Sequence, residues 1–225
     1  MMLGSRYRPN ALVALFISSG LFAMLIAASS GGMALAANPG TSTQGSCTPP
    51  AATFLKVRLH PQQANYWCWA ASAQMIMEYL GKAVTQCAQA NDEFSQTNCC
   101  TNPLPETACD HGGWPQFDRH GLSFRTTNNA PLSWDEVKSQ LGPRDQANPC
   151  GFTPFAFTWH WPGGGGHMMV AIGYQTVNGV NYVQVHDPLA VNVGNTRFIT
   201  YENYVSGVND EGVTYTHWND YYDIK

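Results

Sequence analysis

Seven cysteines behind an apolar N-terminal stretch limit what this 225-residue chain can fold into. Arg6 and Arg8 precede a nearly unbroken apolar run from Ala11 to Ala27, and Ala34-Leu35-Ala36 supplies a small-x-small pattern. That is the layout of a secretory signal, so residues 1–36 read as a cleaved address. Ser18, Ser19 and Gly20 interrupt the run, which falls short of the ~20 apolar residues that a membrane span needs. Beyond the reducing cytoplasm cysteines pair, and an odd count leaves one thiol for another purpose. The candidates are Cys47, Cys68, Cys87, Cys99, Cys100, Cys109 and Cys150.

Without the signal, nine Lys and Arg face fifteen Asp and Glu, a net charge of −6. The acids are scattered, so the pattern is a solvated acidic surface. It gives no footprint for nucleic acid or an anionic membrane. Residues 37–53 are rich in Pro, Gly, Ser and Thr and read as a flexible linker, tethered through Cys47. Residues 54–225 are about the size of one domain.

Within that domain Phe54, Leu55, Val57 and Leu59 suggest a short strand. A helix then starts at Cys68 and stops at Gly81, half buried through Met75, Ile76, Tyr79 and Leu80. Residues 82–132 show no sustained period and read as a disulfide-stapled, loop-rich insertion. Ser133-Trp134-Asp135-Glu136 is a capping-box signature for a helix ending at Gly142-Pro143. Strands follow over residues 152–159, 167–176, 181–186, 197–201 and 213–218, with Asn178-Gly179 as a hairpin turn. Helices first and strands later make the fold class α+β.

A cysteine becomes a nucleophile when its thiolate is stabilised, and a helix N-terminus supplies the partial positive charge for that. Cys68 occupies such a position. An imidazole completes the activation, and a carboxylate on the other ring nitrogen fixes its tautomer.

Gln62, followed after five residues by Cys68-Trp69-Ala70-Ala71-Ser72, resembles the active-site segment of papain-like cysteine peptidases. Gly163-Gly164-Gly165-Gly166-His167 and the later Val183-Gln184-Val185-His186-Asp187-Pro188 resemble the second half of that site. Their spacing is similar to the compact bacterial branch, which includes effector peptidases and bacteriocin leader peptidases. The resemblance implies a helical half carrying Cys68, packed on a twisted antiparallel sheet carrying His167 and Asp187. It implies Cys68 as nucleophile, His167 as general base, Asp187 as its orienting residue and Gln62 in the oxyanion hole. No cofactor or metal is implied. The substrate would be a protein or peptide, and the enzyme a secreted or periplasmic monomer.

Plainer readings stand beside these. His160, between Trp159 and Trp161, reads as a packed strand-edge residue. His186 and Asp187 point to opposite faces of a period-2 strand, so only one can join the site. The glycine run reads equally as a connector or as room for a substrate backbone. Gln63 is a second choice for the oxyanion. Cys99, Cys100, Cys109 and His111 have zinc-ligand chemistry, but export favours disulfides, with adjacent Cys99 and Cys100 going to different partners. The same triad also fits acyl transfer or deamidation, as in transglutaminases. A catalytically silent binding or toxin module is the rival from another class.

Overall fold

The computed structural model describes residues 46–144 and 149–225. The stretch read as a signal, residues 1–36, and the first part of the presumed linker, residues 37–45, lie outside them. In chain order the elements are β1 (Ala52–Phe54), α1 (Cys68–Tyr79), α2 (Gln86–Phe94), α3 (Glu106–Cys109), β2 (Arg125–Thr126), α4 (Trp134–Leu141), β3 (Phe155–His160), β4 (Gly166–Val177), β5 (Val180–Asp187), β6 (Asn195–Thr200), α5 (Tyr201–Val205), β7 (Ser206–Val208) and β8 (Thr214–Tyr222). The α+β arrangement read from the sequence is the one present, with helices packed on an antiparallel sheet.

The sheet runs β2-β8-β3-β4-β5-β6, with β7 added to β8 and β1 to β4. β3 pairs with β4 through Ala171, and β1 takes over the same edge from Gly173 to Gln175. Gly173 permits this, because a Cβ there would lie 2.7 Å from the Thr53 carbonyl oxygen. β4 and β5 form the expected hairpin, with Asn178 and Gly179 both at positive φ as a type I′ turn requires.

One core lies between α1 and the face of β4 that carries Met168, Val170 and Ile172. The other lies under Val137 and Leu141 of α4 and Tyr204 of α5, against Met169, Ala171, Val183 and Val185. The alternation of β4 therefore feeds both cores.

α1 starts and stops where the sequence places it, with Gly81 at φ 80° beyond its end. It is more deeply buried than half. Every residue from Trp69 to Met77 is buried except Gln74, because alanines let the helix press closely on the sheet. α4 carries the complete Ser133–Glu136 capping box.

Other elements differ from the sequence reading. The first strand is β1, and only the Leu55 N–H continues its pairing, to the Ile172 carbonyl. The end of the presumed flexible linker is held at Cys47 by its disulfide and at β1 by the sheet. Residues 82–132 contain α2, capped by the Thr85 side chain, besides loops. After β6 the chain forms α5 and β7 before the last strand.

Three disulfides join Cys47 to Cys150, Cys87 to Cys100 and Cys99 to Cys109. Adjacent Cys99 and Cys100 do go to different partners, which leaves neither as a thiolate for zinc. Such bonds fit an oxidising compartment. No helix among the described residues is long and apolar enough to cross a membrane.

Candidate active site

Among the described residues Cys68 is the free cysteine. It opens α1, whose N-cap Trp67 makes no side-chain capping bond, so backbone N–H groups of the first turn are left to the thiol and its surroundings. The indoles on either side are anchored, Trp67 to the Cys109 carbonyl and Trp69 to the His111 carbonyl, at 2.8 and 3.2 Å. Asp110 accepts from the backbone N–H groups of Asn65 and Tyr66. The stapled insertion thus holds the turn that leads into the helix carrying Cys68. The Ser72 hydroxyl donates to the Met168 carbonyl at 3.3 Å, tying α1 to β4 one residue beyond His167.

His167 sits at the start of β4 and Asp187 at the end of the antiparallel β5, which brings the two side chains together. The distance from His167 Nε2 to Asp187 Oδ1 is 2.7 Å, with both residues buried. Nδ1 is then the ring nitrogen left for Cys68, which hydrogen-bonds the same ring. His186 points the other way, to the Val57 carbonyl and the Thr196 hydroxyl, as period-2 alternation requires.

Burial disfavours a thiolate at Cys68. The hydrogen bond and positive charge of His167, with the backbone N–H groups of Met168 and Trp69, outweigh it and hold the thiol below its ordinary 9.0. Burial likewise pulls His167 down, yet its bonds to Asp187 and Cys68 and their negative charges push it from 6.5 up to about 10. Asp187 stays below its ordinary 3.8: burial opposes this, and His167, the Leu189 N–H and Arg197 more than compensate. Both shifts favour thiolate and imidazolium as the resting pair.

Gln62 is buried in the loop before α1. Its backbone pairs with Pro188 and Asn192, beside Asp187 in the chain. Its amide donates to the carbonyls of Ala64 and Asn65 at 2.8 and 2.7 Å, so both hydrogens are committed to the loop. The structure brings Cys68, His167 and Asp187 together and keeps the Gln62 amide on its own turn. The Gln63 backbone N–H donates to Gln86 and its side chain is exposed.

A cleft of about 380 Å³ opens over Cys68 and His167. Gly112, Gly113 and Trp114 line it from the loop beyond Cys109, Gly165 from just before β4, Gly166 from its start, and Trp218 from β8. Part of the glycine run therefore does border the site. Gly166 is required, because a Cβ would lie 2.1 Å from the Trp159 carbonyl oxygen. His160 packs against Trp218 outside the triad.

The profile of the Peptidase_C39-like family matches residues 54–206. The chain belongs to the Peptidase_C39-like family. Membership places it among the cysteine peptidases. No curated protein matches it. Solved structures do, including one from work on antibody cross reactivity between the mite allergens Blo t 1 and Der p 1. That chain is 13% identical and aligns over 83% of this chain and 74% of its own length, with a TM-score of 0.42.

In this Peptidase_C39-like chain, sequence reasoning overlooked Arg197. Its guanidinium donates to Asp187 Oδ2 at 2.9 Å, on the carboxylate oxygen that His167 does not use. The signal was the register, which sets Arg197 opposite Val185, two residues from Asp187 on the same face. Without the pairing of β5 and β6, Arg197 is one of many surface cations.

Proposed function

We propose that this chain is a secreted endopeptidase that cleaves peptide bonds through a thioester on Cys68. The observation that carries the reading is the free cysteine facing an imidazole whose other nitrogen is held by a buried carboxylate. The Cys68 thiolate attacks the scissile carbonyl carbon. As the tetrahedral intermediate collapses, the C–N bond breaks and His167 passes its proton to the leaving amine. Neutral His167 then takes a proton from water, whose oxygen attacks the thioester. The acid product leaves and the thiolate–imidazolium pair is restored.

Asp187 keeps the imidazole oriented and stabilises its positive charge. The oxyanion forms beside the N-terminus of α1, where backbone N–H groups are at hand. Gln62 joins them in this reading once its amide releases one loop carbonyl. The three disulfides support export, and the family supports a protein or peptide substrate.

The test is to incubate the protein with a complex peptide digest and map products by mass spectrometry, with Cys68→Ser beside it. New N-termini that vanish with the variant and with thiol alkylation support hydrolysis. Isopeptide bonds, or glutamate in place of glutamine, would instead assign acyl transfer or deamidation.

A further inference from the structure

The cleft contains one carboxylate that the triad does not use. Glu93 lies in the last turn of α2 and lines the same cavity as Cys68 and His167. The next residue, Phe94, packs edge-on against Trp69 at 6.0 Å, which fixes the end of α2 beside the nucleophile helix. Other acids nearby are engaged. Glu78 pairs with His60, Asp110 holds the turn at Asn65 and Tyr66, and Asp92 faces His120 at 3.9 Å. Glu93 has no hydrogen bond or ion pair with any described residue, and no lysine or arginine lines the cavity. The one cationic group there, His167, is already balanced by Asp187 and the thiolate.

Indole rings share the cavity with this carboxylate. Trp69, Trp114 and Trp218 line the cavity with it, and Trp114 meets Trp218 edge to face at 4.7 Å. A carboxylate that lines one cleft with aromatic side chains suits a long side chain that is apolar along its stem and positive at its tip. The stem packs on the rings, the head pairs with the carboxylate, and a cation is also attracted to the indole faces. A negative side chain in the same place meets like charge and lost hydration.

We propose that Glu93 is a specificity-determining residue that selects substrates carrying lysine or arginine near the scissile bond. This rests on the peptidase reading and narrows its substrate class. The cleft recognises a cation, and a substrate's free α-amine would present the same chemistry. The test therefore uses peptides acetylated at the N-terminus and amidated at the C-terminus.

In one peptide frame, lysine, arginine, norleucine or glutamate is placed in turn at each position flanking the cleaved bond, and kcat/KM is measured. The same series carrying a thiol-reactive warhead is scored by mass spectrometry for alkylation of Cys68. The wild type is expected to favour lysine or arginine over norleucine by about tenfold or more at one position. Glu93→Gln should bring that ratio close to one, and Glu93→Lys should turn it in favour of glutamate. Cleavage or labelling without a cation preference overturns the proposal and leaves the peptidase reading standing. So does a preference that survives Glu93→Gln. If peptides are neither cut nor able to label Cys68 faster than free iodoacetamide does, the peptidase reading falls and this inference with it.

Discussion

The protein holds two buried His–Asp pairs on one sheet, and they differ in what occupies the far side of each imidazole. His167 gives Nε2 to Asp187 at the cleft and leaves Nδ1 for the Cys68 thiol. His217 Nε2 lies 3.1 Å from Asp220 Oδ2, out of line for a hydrogen bond, and its Nδ1 faces the Tyr204 carbonyl at 3.0 Å. Asp220 also accepts from the Leu132 N–H and the Tyr204 hydroxyl, and Phe157 stacks on the His217 ring. The second pair is a polar clamp that fastens β8, α5 and the chain before α4. A His–Asp contact is available for chemistry when the second ring nitrogen is left for a thiol in a cleft, and it is structure when that nitrogen is spent on the core.

The sharpest way to break that contrast is to remove each imidazole in turn. His167→Ala should lower kcat/KM by at least ~10³–10⁴, as in other triads, with the protein still folded by circular dichroism. His217→Ala, outside the cleft lining and held on the Tyr204 carbonyl, should leave activity per folded molecule within a few fold and lower the melting temperature. Comparable loss of turnover in both would erase the distinction.

The carboxylates sharpen it. Asp187→Asn keeps the shape but favours the wrong tautomer, and should cost ~10²–10⁴ in kcat. Asp220→Ala should cost about 3–5 kcal/mol of stability, read from denaturant unfolding, because it strands several buried donors.

Arg197 gives the smallest effect. Its charge helps hold Asp187 below 3.8, so Arg197→Met should raise the Asp187 pKa. A depressed carboxylate stabilises the fold above its unfolded pKa, and that contribution is lost as pH falls through the folded value. In the variant the loss should begin at higher pH, and the acid limb of the activity profile should move up with it. A pH–rate series and acid unfolding curves check both shifts. For His167, raised to about 10, the sign is opposite: its contribution is complete below 6.5 and is lost as pH rises through about 10.

Much of this was legible in the sequence where a local signal was strong. Gly81, the Ser133–Glu136 box and the Asn178-Gly179 turn mark their elements by residue chemistry alone. The odd cysteine and the segment around Cys68 singled out the cysteine that is free. α2 was missed because it buries Gln86, Gln89 and Ala90 rather than an apolar stripe; Gln89 donates to the Ala70 carbonyl of α1. Its helix is stabilised by a tertiary hydrogen bond that no periodicity displays. Arg197 required strand register, and the pairing of Cys47 with Cys150 required two segments 103 residues apart to meet. The commitment of the Gln62 amide to Ala64 and Asn65 depends on how one loop turns, which spacing from Cys68 does not encode.

The reaction proposed for Cys68 starts from a thiolate paired with His167. The direct measurement is the rate of iodoacetamide alkylation against pH, with the modified cysteine identified by mass spectrometry and Cys68→Ser as control. The account predicts rapid reaction well below pH 9.0, the ordinary thiol value, and a curve that moves up toward that value in His167→Ala. A wild-type midpoint at or above 9.0, unmoved by His167→Ala, would contradict it.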